Sequence, residues 1–194
     1  MAIPPTPTAT ATLTPTQAAA GSVALILTPI PSEPITAIGD SVMLGAAPVL
    51  QQAFTQIEVD AEVGRQVWTA ASLIKARKAE NRLGSVVVLH PGSNGRYTEQ
   101  VFNEIMQTLS DRRMVIVFNV RVPREWEAYN NNIIANGVKV YPNAVFIDWH
   151  GITANRPELF WNDGHHLRPE GARFYAGLIA EAIKPGAEAV KPSQ

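Results

Sequence analysis

Ser41 follows Gly39 and Asp40 directly after an apolar run, and Asp163 stands three residues before His166 in the segment Trp161-Asn162-Asp163-Gly164-His165-His166. A serine hydroxyl is a weak nucleophile until a base takes its proton. An Asp three residues before a His, in a glycine-containing loop ahead of Pro169, can reach the imidazole and fix its tautomer. The other ring nitrogen is then free to accept that proton. The spacing favours His166 over His165. Acyl transfer also needs donors for an oxyanion. A serine at a helix start offers its own free amide, and Asn94 in His90-Pro91-Gly92-Ser93-Asn94-Gly95 offers a neutral side-chain donor on a sharp loop. Val63-Gly64-Arg65 offers a further backbone amide.

Each stretch has a plainer reading. Asp40 or Ser41 can simply cap a helix, Asn94-Gly95 can be an ordinary turn, and Gly64 can be a turn residue. Asp163 with His165 and His166 can be a helix cap, or a metal site with His90 and His150 as further ligands. Adjacent histidines seldom point the same way and no H-E-x-x-H spacing occurs, so no metal and no cofactor are expected.

The elements that must position these residues follow from periodicity. Short apolar runs at 35–38, 85–89, 114–118 and 144–148, and an alternating one at 57–61, read as strands. Helical spacing occupies 42–54, 67–80, 98–109, 126–136 and 169–183. Strands alternating with helices imply crossover connections, and so an α/β fold: a three-layer α/β/α sandwich around a central, mostly parallel sheet. Ligands in such folds bind beyond the carboxyl ends of the strands, where Ser41, Gly64 and Asn94 fall.

With 194 residues, 46% of them hydrophobic, the chain suits one domain with a substantial core. A net charge of -1 from 16 basic and 17 acidic side chains recruits neither nucleic acid nor an anionic membrane. The absence of cysteine excludes disulfides and a thiol nucleophile. Residues 1–34, rich in Pro, Thr and Ala, read as a linker or stalk, with an edge strand or docking segment at 23–27 as the alternative, and 186–194 read as a tail. The apolar stretch 23–30 is shorter than the ~20 residues that span a bilayer, so the chain is expected to be soluble, with any anchor upstream on a parent protein. Trp68, Trp126, Trp161, Tyr97 and Tyr129 are candidates for a sugar-stacking surface or for the core. Arg65, Arg96 and Arg168 could anchor a carboxylate or phosphate of the substrate, but surface arginines are common and they stay outside the expected site.

Together Gly39-Asp40-Ser41, Gly64, Gly92-Ser93-Asn94 and Asp163-Gly164-His165-His166 resemble the SGNH (GDSL-like) hydrolase superfamily, whose blocks contribute Ser, Gly, Asn and His in that order. The resemblance covers about residues 35–183. It sharpens at Ala61-Glu62-Val63-Gly64-Arg65-Gln66 and at the G-x-N-G form of the third block, which look like the extracytoplasmic SGNH domains fused to membrane acyltransferase-3 proteins, the peptidoglycan O-acetyltransferases among them. It implies a flavodoxin-like fold and a triad of Ser41, His166 and Asp163. The implied oxyanion hole takes the Ser41 amide, the amide of Gly64 or Val63, and Asn94. It implies an acyl donor, a carbohydrate acceptor, a membrane-embedded acyltransferase domain upstream and an extracytoplasmic setting. The expected activity is carbohydrate O-acetyl transfer, with an acetyl esterase and an inactive carbohydrate-binding module as alternatives.

Overall fold

The computed structural model describes residues 33–184, so all but the end of the expected linker, the segment 23–27 and the expected tail lie outside the described residues. Five strands form one sheet in the order β2-β1-β3-β4-β5: β1 Ile35–Gly39, β2 Ile57–Ala61, β3 Val86–His90, β4 Met114–Phe118 and β5 Ala144–Ile147. Every neighbouring pair is parallel. Side chains alternate between faces along a strand, and the two cores divide β3 accordingly. Val86 and Val88 pack with α1 (Ser41–Ala53) and α6 (Pro169–Ile183). Val87 and Leu89 pack with α2 (Val67–Ala79), α3 (Glu99–Thr108) and α4 (Glu127–Gly137). β-branched residues throughout a strand therefore suit it, because both faces are covered and each buried Val or Ile stabilises by about 1.5–3 kcal/mol.

The expected three-layer sandwich is the observed fold, with a sheet that is wholly parallel. Three short elements had no periodic signal: α5 (Trp149–Thr153) and single 3-10 turns at Val138–Val140 and Pro157–Leu159. Each is too short to show a helical repeat. The strand order puts a topological switch point between β1 and β3, whose following helices lie on opposite faces. The register opposes Gly39 to Ala61 on one side and to His90 on the other, so the loops bearing Ser41, Gly64 and Asn94 emerge side by side.

His90, the last residue of β3, is fully buried in an aromatic box. Its Nδ1 lies 3.1 Å from the Tyr175 hydroxyl, and its ring stacks on Phe118 at 5.1 Å. Desolvation lowers its pKa from 6.5 to about 4, against the opposing pull of the Asp40 charge and an Asn119 backbone group. The unfolded chain then takes up this proton as pH falls below 6.5, whereas the folded chain resists until about 4. Stability from this site is complete above 6.5 and is lost as pH falls through that window. Replacing His90 by Phe should remove about 3 kcal/mol of acid sensitivity between those limits. Urea midpoints of both proteins across the window test this, and parallel pH profiles would refute it.

Candidate active site

Asp40 is the N-cap of α1: its Oδ1 accepts from the Val42 amide at 3.1 Å. The plain capping reading thus holds for Asp40, but its Oδ2 also accepts from Ser93 N–H at 3.0 Å and ties the β1 loop to the β3 loop. Ser41 is the first residue of α1, where an amide has no acceptor within the helix. The Ser41 Oγ lies 2.9 Å from His166 Nε2, and His166 Nδ1 lies 2.9 Å from Asp163 Oδ2. A proton can leave the hydroxyl for the imidazole, and the carboxylate faces the cation that would result.

The loop holds this geometry through its own backbone. Trp161 N–H donates to the His166 carbonyl and Gly164 N–H to the Trp161 carbonyl, each at 2.9 Å. Gly164 has φ +78°, a left-handed turn that glycine adopts without strain. Asp163 Oδ1 accepts from the amides of His165 and His166, both at 3.0 Å. Desolvation opposes the Asp163 charge, but those two amides and the His166 ring outweigh it and hold the carboxyl well below the usual carboxylate range. Asp163 is therefore charged across the whole pH range in which acyl transfer is measured.

His165 sets its ring against Asp163, with Nδ1 3.3 Å from the carbonyl and 3.4 Å from Oδ1, and lies 4.0 Å from the ring of His166. Asp163, His165 and His166 bring one ligand atom each within 4.8 Å of one another. His90 and His150 are not part of that cluster: His90 is in the aromatic box and His150 pairs with Glu127 at 3.1 Å.

The remaining donors stand on the neighbouring loops. Gly64 has φ +76° and lies in an exposed turn with Val63. Arg65 clamps that turn to the edge strand. Its Nη1 donates to the Asp60 carbonyl and its Nη2 to Asp60 Oδ1, both at 2.6 Å, and Arg77 holds the other carboxylate oxygen, also at 2.6 Å. Arg65 is thus buried, not the surface arginine expected, because Asp60 supplies the counter-charge that burial requires. Asn94 Nδ2 reaches the Arg65 carbonyl at 3.5 Å, a long contact that leaves its second N–H for a ligand.

No protein-family model matches the chain. Among characterised sequences it is 35% identical over 147 residues to the peptidoglycan O-acetyltransferase OatA of Listeria monocytogenes, covering 76% of this chain and 23% of that protein. It is 31% identical over 148 residues to the O-acetyltransferase OatA of Staphylococcus aureus, covering 76% and 24%. The chain thus spans about a quarter of the length of the curated relatives it matches. Its fold superposes on the C-terminal catalytic domain of Streptococcus pneumoniae OatA, captured with a methylsulfonyl adduct, with a TM-score of 0.69 at 24% identity over 79% of this chain and 94% of that one. A GDSL-like lipase of Bacteroides thetaiotaomicron gives 0.57 at 18% identity over 78% and 87%. The chain is an SGNH-fold homologue of peptidoglycan O-acetyltransferases.

Sequence patterning alone misses the residues that brace this site. Asn130, on α4, is fully buried. Its Oδ1 accepts from Tyr97 N–H at 2.8 Å, and its Nδ2 donates to the carbonyls of Gly92 at 3.0 Å and Gly95 at 2.8 Å, pinning the loop that carries Asn94. Asn119 links the end of β4 to α5 through the Asp148 carboxylate at 2.7 Å and the His150 amide at 2.8 Å. Of the aromatic candidates, Tyr97 is core, Trp126 is half-buried, and Trp68, Tyr129 and Trp161 are exposed.

Proposed function

We propose that this SGNH domain transfers acetyl groups to a hydroxyl of a cell-wall or surface carbohydrate through an acetyl-enzyme at Ser41. His166 Nε2 takes the Ser41 proton as Oγ attacks the acetyl carbonyl. The tetrahedral oxyanion is held by the Ser41 amide, the amide of Gly64 or Val63, and the Asn94 side chain. Collapse returns the proton from His166 to the leaving group. An acceptor hydroxyl, deprotonated by the same imidazole, then attacks the acetyl-serine; the acetyl C–Oγ bond breaks, His166 returns the proton to Ser41 Oγ, and the sugar ester leaves. Asp163 stays ionised and orients the ring throughout. The continuous contact from Ser41 to His166 to Asp163, 2.9 Å at each step, is the observation that carries this reading.

The choice of acceptor rests on the homologues, which are named for peptidoglycan O-acetylation. A membrane-embedded acyltransferase domain upstream in a longer parent protein would supply acetyl groups, with this domain on the extracytoplasmic side. The greater length of those relatives supports such a parent. Among the described residues no helix is long and apolar enough to cross a membrane.

The test is p-nitrophenyl acetate turnover with and without a chito-oligosaccharide acceptor, wild type against Ser41→Ala, with mass spectrometry of the sugar. Ser41-dependent acetylated sugar is expected. Ser41-dependent hydrolysis without sugar product would favour the esterase reading, and no Ser41-dependent turnover would favour an inactive binding module. Methanesulfonyl fluoride should block turnover and leave one sulfonyl group on Ser41.

A further inference from the structure

The Asp163 carboxylate gathers two imidazoles, of which acyl transfer uses one. His166 Nδ1 lies 2.9 Å from Oδ2 and His165 Nδ1 3.4 Å from Oδ1, so both ring nitrogens face the same group. Neighbouring side chains usually diverge. Here the left-handed turn at Gly164 and the two amides bound to Oδ1 fold the segment around Asp163, and the ring centres come within 4.0 Å. One ligand atom from each of the three residues lies within 4.8 Å of the others. Zinc bonds imidazole nitrogen and carboxylate oxygen at ~2.0–2.2 Å, and tetrahedral placement then sets ligand atoms about 3.3 Å apart. The two nitrogen–oxygen separations bracket that spacing. The set is also open to solvent, with the side chains of Asp163, His166 and His165 exposed by 43%, 39% and 18%.

We propose that Asp163, His165 and His166 form a zinc site whose occupation reversibly blocks Ser41. Two imidazoles and a carboxylate suit zinc better than magnesium or calcium, which prefer oxygen ligands, and water completes the fourth position. The ion takes the lone pair of His166 Nδ1, the nitrogen that carries the proton when the ring acts as a base. That proton then resides on Nε2, with no net gain or loss of protons and no change of oxidation state. Nε2 faces Ser41 Oγ at 2.9 Å, so it becomes a donor to the hydroxyl and can no longer accept from it. His165 has no part in the acyl-transfer steps and is what raises the ligand count from two to three. The block rests on the general-base role of His166 proposed above, whereas the binding rests on the cluster alone.

The experiment titrates zinc chloride into p-nitrophenyl acetate assays, each protein being compared with its own zinc-free rate. Rates of Ser41→Ala are subtracted, which removes hydrolysis by the metal itself. Wild type should lose roughly nine-tenths or more of its turnover and recover it with EDTA, while magnesium chloride at the same concentration has no effect. His165→Ala should need roughly tenfold more zinc or beyond, because residues that merely support a metal ligand are already worth about 10–100-fold in affinity. His150→Ala, which removes a histidine paired with Glu127 outside the cluster, should leave the zinc requirement unchanged. Binding itself is read by competition with a fluorescent zinc chelator, using Ser41→Ala with and without His165→Ala, and a thermal melt verifies that each variant folds. An unchanged zinc requirement in His165→Ala, or an equal shift in His150→Ala, would overturn the site. Full turnover by wild type with zinc bound would overturn the block. His165-dependent zinc binding in a protein without Ser41-dependent turnover would uphold the site and overturn the acyl-transfer reading alone.

Discussion

Replacing His166 by alanine is expected to lower kcat for p-nitrophenyl acetate by roughly ten-thousand-fold or more, whereas His165→Ala should stay within a few-fold of wild type. The asymmetry follows from geometry. His166 Nε2 is 2.9 Å from Ser41 Oγ while Nδ1 faces the Asp163 carboxylate, so removing the ring removes both the proton acceptor and the charge relationship that stabilises it. The His165 ring makes its contact with the Asp163 carbonyl and contributes no atom to the Ser41 hydrogen bond. Its backbone amide donates to Asp163 Oδ1 and is retained by alanine, so the variant loses only the ring Nδ1, which lies 3.4 Å from the same oxygen. The same comparison tests a metal-centred mechanism, because a metal held by Asp163, His165 and His166 would make both histidines indispensable and would make activity sensitive to a chelator. Steady-state kinetics of the two variants, each with and without EDTA, separates these outcomes.

The hydrogen-bonded arrangement of Ser41, His166 and Asp163 was legible in the sequence because its decisive relationships are local. Asp163 and His166 share one loop, and Ser41 follows directly on an apolar strand; the sheet then joins the two segments. The strands and long helices were legible for a related reason, since a buried strand or an amphipathic helix repeats its signal over several residues. What escaped is non-local or too short to repeat. Asn130 reads as one of three consecutive asparagines on a helix, and its meaning appears only when the fold sets it against loop residues 33 to 38 positions away. Arg65 looked like a surface cation because the Asp60 carboxylate and carbonyl that make its burial tolerable reach its guanidinium only after the turn beyond β2 folds back on that strand. Arg121 is another such case, reaching Gly164 across 43 residues to brace the loop of Asp163 and His166.

Asn94→Ala is expected to reduce kcat by roughly 100-fold to 1000-fold with little change in KM, the loss of about 2.7–4 kcal/mol that follows removal of one oxyanion donor. The loop that carries the side chain is held on both flanks. Its loop is pinned on one flank by Ser93 N–H to Asp40 and on the other by Asn130 to Gly95, and its Nδ2 already leans toward the Gly64 turn through the Arg65 carbonyl. A donor fixed in this way loses little free energy in reorganising as charge develops on the substrate oxygen. A purely structural role would predict something different: lost stability, with kcat per folded molecule preserved. Asn94→Asp distinguishes the two, since it keeps the shape while replacing a donor by a negative charge aimed at the oxyanion. It should be at least as impaired as the alanine variant while melting at a similar temperature. Near-normal kcat in Asn94→Ala would mean that the amides of Ser41 and of the Val63-Gly64 turn hold the oxyanion unaided.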